Sequence, residues 1–233
     1  MLPNYDAIFA DQAEKYDRFV AAEDFQGNLL RTIKQVAHLN RDQSVADLGT
    51  GTGRMAFLVC PIVRHVYGIE PVAGMRSVAE MKKQRLGIKN VDFMPGEHSD
   101  IPLPDNSIDL IVEGWAFLKA FRTAYPEWRA EFGAITSEMR RILRPQGVVV
   151  LIETMGSLHI WEKVPENTVE LYEYFEKELC LKKTIIRTDY KFATKEEAVD
   201  LTTFFFGDEI GAEVSEKGDP IVPEATVLWH GRL

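Results

Sequence analysis

The sequence predicts a doubly wound α/β fold on a mostly parallel sheet, and three observations carry that expectation. Short apolar segments of strand character alternate with longer ones whose apolar residues recur every three or four positions. Val148–Ile152 is an unbroken run of branched aliphatic residues, as expected of a central strand covered on both faces. The intervening stretches are long enough to hold crossover helices, which return the chain parallel to itself and leave ligands at the carboxyl ends of the strands.

Taken in order, Tyr16, Phe19, Val20, Leu29, Leu30, Ile33, Val36 and Ala37 give a helical preface of one or two amphipathic helices, with Gly27 as the break. Ser44–Leu48 is the first strand, closed by glycines, and Arg54–Val63 reads as an apolar helix buried against the sheet. His65–Ile69 is the second strand. Pro71 suits the first turn of the next helix, where its missing N–H costs nothing, and Gly87 ends that helix. Val91–Met94 and Ile108–Val112 are further strands, separated by a loop rich in proline. Trp128, Phe132, Ile135, Met139 and Ile142 step through a helix. In the tail, Ile186, Thr188, Tyr190 and Phe192 alternate with charged residues, and Ala225, Val227 and Trp229 alternate in the same way, so both segments are strands that complete the sheet.

Composition narrows the function. A chain of 233 residues that is 45% hydrophobic can bury one sizeable core and forms one domain. Its formal charge of −9 argues against a partner that is a phosphate backbone, because such binding needs clustered Lys and Arg. Cys60 and Cys180 stand alone, without the spacing of a disulfide framework or a metal site, so no metal is expected. The longest apolar run, Met55–Val63, contains Pro61 and is too short to span a bilayer, and the first residues lack a secretory pattern, so the expected setting is cytoplasmic.

The strongest chemical signal is Val45–Arg54, V-A-D-L-G-T-G-T-G-R, a strand that runs through glycines into a helix. Glycines at alternate positions allow tight turns and close approach to a ligand, while the following helix start is expected to offer unpaired N–H groups. At the end of the second strand, in Y-G-I-E-P, Glu70 lies about twenty residues beyond the first glycine, where a carboxylate can accept both hydroxyls of a ribose. A dinucleotide loop wants Gly or Ala where this chain has Arg54, which counts against a nicotinamide cofactor.

Gly49, Gly51 and Gly53, preceded by Asp47, resemble the first motif of class I S-adenosylmethionine-dependent methyltransferases, and the resemblance extends over Ser44–Glu153 to the small-molecule group called type 11. It implies a Rossmann-like, seven-stranded sheet with an antiparallel C-terminal strand, a helical lid over 1–42, a cofactor core over 43–155 and substrate-side helices with the last two strands over 156–233. It also implies S-adenosylmethionine as cofactor and S-adenosylhomocysteine as product. The residues carried over as cofactor contacts are Asp47, Gly49, Thr50, Gly51, Thr52 and Gly53 of the loop, then Glu70, Pro71 and Met75. After the third strand they are Gly96, Glu97 and His98; after the fourth, Glu113, Gly114 and Trp115; from the lid, Tyr16. The family often has a small residue where this chain has His98.

The acceptor is less legible. The N/D-P-P-Y/W sequence of amino-group methylases and the Pro-Cys nucleophile of cytosine methylases are absent, so the expected partner is a small-molecule acceptor, with no nucleic acid and no membrane; a second copy of the chain is allowed as a homodimer. Methyl transfer from a sulfonium is an in-line displacement in which alignment supplies much of the rate. If the acceptor is an acidic hydroxyl or a carbon acid, His159, His98 and Glu113 are the candidates to take its proton. Phe25, Trp115, Phe117, Trp161, Phe204, Phe205 and Phe206 are either an apolar acceptor pocket or plain core. The alternative functions are a nicotinamide-dependent oxidoreductase and a binding protein that kept the fold and lost the chemistry.

Overall fold

The computed structural model describes residues 3–158 and 166–233. Its centre is a seven-stranded sheet in the order β3-β2-β1-β4-β5-β9-β6, formed by β1 (Ser44–Leu48), β2 (His65–Ile69), β3 (Val91–Met94), β4 (Ile108–Gly114), β5 (Leu143–Ser157), β6 (Lys182–Arg187) and β9 (Glu224–Gly231). The first five pair in parallel, and β9 runs antiparallel between β5 and β6. Chain order reverses at β1, which has β2 on one side and β4 on the other, and such a switch point opens a crevice at the strands' carboxyl ends.

Alternation along the strands sorts the core into two layers. Val45, Leu110, Val112, Val150 and Ile152 face one side with Leu29, Ile33 and Ala37 of α3 (Asn28–Ala37), and with Met55, Ala56 and Val59 of α4 (Arg54–Val59). Ala46, Leu48, Ile111, Val149 and Leu151 face the other, against α6 (Phe117–Ala124) and α7 (Trp128–Ile142). The predicted stripe of α7 is buried in full, and Trp128 and Phe132 pack edge-on at 5.8 Å.

The preface holds three helices, because α1 (Tyr5–Asp11) precedes α2 (Ala13–Ala21); Asn4 caps α1 by accepting the N–H of Ala7. Phe19 of α2 stacks on Phe205 of α8 (Lys195–Phe206) at 4.6 Å and on Tyr190 at 4.9 Å, which seats the preface over the sheet.

Several boundaries differ from the sequence expectation, among them the ends of β4 and β5, which run beyond Ile108–Val112 and Val148–Ile152. Helix α4 stops at Val59, short of Val63, because Pro61 cannot continue its hydrogen bonds. Pro71 lies outside α5 (Ala73–Leu86), whose cap is Val72, and the N–H of Val72 is taken by Glu70. Residues 117–124, to which the sequence reading assigned no element, form α6. The strand expected through Ile186–Phe192 is split: the carbonyls of Thr188 and Asp189 accept the N–H groups of Asp24 and Phe25, so the chain leaves β6 and forms β7 (Tyr190–Lys191) in a separate pair with β8 (Ile221–Val222).

Candidate functional site

The carboxyl ends of β1, β2 and β4, together with the segment after β3, surround a cavity of about 370 Å³ roofed by Phe9 and Tyr16 of the lid. Tyr16 also lines a narrower recess beside it, shared with Gly49, Gly51, Gly114 and Trp115. The expected lid residue therefore stands over both spaces.

The glycine loop is shaped by contact. Gly49 has φ +69°, and a Cβ there would fall 2.4 Å from Ala116 Cβ and 3.0 Å from His98 Nε2, so no side chain fits. Gly53 serves packing instead: its missing Cβ makes room for Phe57, and it lines neither space. Asp47 is buried beneath the loop, where its Oδ2 accepts the hydroxyl of Thr50 at 2.5 Å and the N–H of Ala56 at 2.8 Å. Burial pushes its carboxyl up to about 7.

The loop does not offer the open amides expected of it. Gly49 and Thr50 donate to the carbonyl of Ile69 at 2.9 and 3.0 Å, and Gly53 donates to Thr50. Gly51 donates to Glu70 Oε2 at 3.0 Å. Four main-chain donors that a pyrophosphate would need are thus already bonded within the protein.

Glu70 ends β2 and lines the cavity. Its Oε1 accepts from Val72 at 2.9 Å, so each oxygen spends one lone pair on the backbone and keeps another for a ligand. Burial raises its pKa, opposed by those two bonds. Pro71, Val72 and Met75 follow as an apolar wall.

Across the cavity lie Glu97 and His98. Gly96 does not reach it, since a Cβ there would strike Pro102 and Ile69. The His98 ring packs edge-on against Phe117 at 5.1 Å, and burial pulls its pKa down to about 4, so the imidazole is neutral at pH 7 and a weak base.

Glu113 lines neither space. It is fully buried, its Oε1 accepting the N–H groups of Ala116 and Phe117 at 2.6 and 2.9 Å, while Glu153 accepts that of Leu118 at 2.7 Å. The two carboxylates hold the first turn of α6, and burial raises both, Glu113 to about 8. His159, like Trp161, lies outside the described residues. Of the aromatics considered for an acceptor pocket, Trp115 alone among the described residues lines either space; Phe117 is core, and Phe25 is exposed beside Lys191.

The sequence reading missed one wall of the cavity. Ala116 and, on α6, Lys119, Ala120 and Thr123 supply it, and the spacing of Phe117, Leu118 and Phe121 was the available sign of a helix there. Trp115, just before that helix, has φ +60°, a costly conformation for a bulky residue, and its ring lies 4.0 Å under the Arg54 guanidinium.

Residues 46–151, which hold the loop, Glu70 and the strands that place them, match the profile of a methyltransferase domain family. Over that stretch, a little under half of its length, the chain is similar to the methyltransferase domain of the type 11 group. Its relatives include a protein from Bacillus subtilis described as the uncharacterized methyltransferase YcgJ, 28% identical over 146 residues, which are 62% of this chain and 53% of that one. They also include the malonyl-[acyl-carrier protein] O-methyltransferase of Yersinia pestis, 29% identical over 164 residues, 68% of this chain and 55% of that one. The chain thus spans little more than half the length of these curated relatives. A SAM-dependent methyltransferase from Aquifex aeolicus shares the fold of the methyltransferase domain with a TM-score of 0.53 at 18% identity, covering 86% of this chain and 88% of that one. Among the described residues, no helix is long and apolar enough to cross a membrane.

Proposed function

We propose that this protein transfers the methyl group of S-adenosylmethionine to a small-molecule acceptor and releases S-adenosylhomocysteine. The observation that carries the reading is the facing pair of Glu70 and the glycine loop: a carboxylate with a free lone pair on each oxygen, beside a cradle that a single Cβ would fill. Such a pair suits the ribose of an adenosine. The satisfied amides of the loop count against a dinucleotide, whose pyrophosphate would need them.

On this reading Glu70 holds the ribose hydroxyls, Pro71, Val72 and Met75 pack against the nucleoside, and Glu97 or His98 meets the adenine. Tyr16 closes the roof. The cofactor, when bound, supplies an already activated methyl group on a sulfonium. The chain's own part is then to align and to exclude water, and alignment can supply roughly 7–11 kcal/mol in favourable systems. Neither Glu113, fully buried under α6, nor His98, with a pKa near 4, is a suitable base at neutral pH. An acceptor that arrives already nucleophilic fits these walls best.

Thermal melting tests the reading with S-adenosylmethionine, S-adenosylhomocysteine and NAD, since a ligand at a hundred times its Kd stabilises by about 2.7 kcal/mol. The first two are expected to raise the melting temperature and NAD to leave it unchanged. A shift with NAD alone would turn the assignment to the oxidoreductase alternative.

A further inference from the structure

Two buried acids meet at the start of α6. Ile111 and Glu113 of β4, with Leu151 and Glu153 of β5, alternate onto the face of the sheet that carries α6 and α7. From there Glu113 accepts the N–H groups of Ala116 and Phe117 at 2.6 and 2.9 Å, and Glu153 accepts that of Leu118 at 2.7 Å. A helix leaves its first N–H groups unpaired, and here three successive ones are taken by the sheet.

Capping alone does not call for such a pair. A Ser or Asn in place of Ala116 would cap the helix from within it. The two acids are instead fully buried, Glu113 Oε2 has no partner, and burial together with the neighbouring Glu113 pushes the Glu153 carboxyl up. What they add is a tie between layers. A residue of the helix fixes only the helix, whereas carboxyls reaching out from β4 and β5 fix where the helix starts relative to both strands.

That starting point shapes the cavity. Ala116 fills the space that a Cβ on Gly49 would need, 2.4 Å from its own Cβ, and Ala116, Lys119 and Ala120 form one wall. The ring of His98 rests edge-on against Phe117 of the same turn at 5.1 Å. A slack first turn would therefore move the wall, the neighbour of Gly49 and the support of His98 together. Glu153 itself lines neither the cavity nor the recess.

We propose that Glu153 is a positioning residue for the methyl donor: with Glu113 it pins the first turn of α6 to the ends of β4 and β5, and the nucleoside half of the donor binds only while that turn is held against Gly49. The proposal rests on the adenosine-donor reading above. Glu153 acts through the N–H of Leu118 and touches no ligand.

Calorimetry with 5′-methylthioadenosine and S-adenosylhomocysteine tests it in Glu153→Gln, Glu153→Asp and Glu153→Ala, with urea unfolding as the measure of the fold. Gln keeps an acceptor at the same reach, so both affinities stay within about twofold of the wild type. Asp keeps the acid but falls one methylene short, and Ala has no acceptor; each lowers both affinities about tenfold, the loss of one bond to a buried group. Ala116→Gly, which a helix N-cap tolerates, removes the contact with Gly49; it costs about threefold alone and nothing further beside Glu153→Ala, because both act through one turn. A Glu153→Ala protein that is less stable but binds both nucleosides as the wild type does overturns the proposal and leaves Glu153 a cap. Additive losses in the double variant, or an Asp variant that binds normally, overturn it too. If Glu153→Ala does not fold, the contrast between Asp and Gln decides. A wild-type protein that binds neither nucleoside overturns the donor reading itself.

Discussion

Glu70 binds the glycine loop as well as facing the cavity: its Oε2 accepts the N–H of Gly51 at 3.0 Å, so the group assigned to the ribose also fixes the curvature of the loop. Substituting it removes two things at once. Glu70→Ala is expected to weaken S-adenosylhomocysteine binding at least about tenfold, the loss of one charge-assisted bond, and to destabilise the fold by about 1–3 kcal/mol because the N–H groups of Gly51 and Val72 lose their partner. Calorimetry reads the first effect and urea unfolding the second. Unchanged affinity would remove Glu70 from the ribose.

Two glycines with the same positive φ provide an internal control. Gly49 and Gly27 both have φ +69°, yet a Cβ at Gly49 meets Ala116 at 2.4 Å while one at Gly27 meets nothing within 4 Å. Gly27→Ala is expected to cost only the backbone strain, about 1–2 kcal/mol. Gly49→Ala adds a clash that Ala116 can relieve only by shifting α6, and with it the cavity wall, so ligand binding should fall below detection in a protein that still melts cooperatively. Equal effects of the two changes on binding would refute the cradle.

The mostly parallel sheet and the loop were readable because both rest on local rules: a branched aliphatic run at 148–152 and glycines at fixed spacing admit few alternatives. What escaped was decided by distant partners. Residues 186–192 alternate as a strand should, but Asp24 and Phe25 claim the carbonyls of Thr188 and Asp189 and break it. Glu113 has the right place in the chain for a cavity residue, and its side chain turns back to α6 because two N–H groups of the first turn wait there. No pattern in the sequence separates a carboxylate that caps from one that catalyses.

The buried acids make stability depend on pH in a definite sense. Glu113 and Glu224 are raised to about 8 and Asp47 to about 7, so at neutral pH the folded state holds protons that the unfolded chain has released. Stability conferred by such groups is full below their unfolded pKa near 4 and is lost as pH rises through 7 and 8. His98, lowered to about 4, acts oppositely: its contribution is present above 6.5 and is lost as pH falls toward 4. Urea midpoints should therefore decline from pH 7 to 9, and Glu113→Gln, whose amide oxygen can still accept from Ala116 and Phe117, should flatten that decline. An identical slope in the variant would show that Glu113 is ionised in the folded protein.

Lys82 ties the lid to the loop. Its ammonium pairs with Asp17 of α2 and donates to the carbonyl of Thr52 at 3.0 Å, with the side chain 18% exposed. Two further lid pairs, Lys15 with Asp200 and Arg18 with Glu197, join more exposed groups, and such pairs contribute at most about 1 kcal/mol each. Lys82→Met keeps an apolar stem and removes the charge, which lies 5.2 Å from the centre of the Phe57 ring, leaving Asp17 and the Thr52 carbonyl to water. The lid should then open more often over a loop of unchanged shape, so S-adenosylhomocysteine should dissociate several-fold faster while its association rate holds. Stopped-flow measurement separates the two rates: a slower association with unchanged dissociation would mean that Lys82 shapes the loop rather than holding the lid.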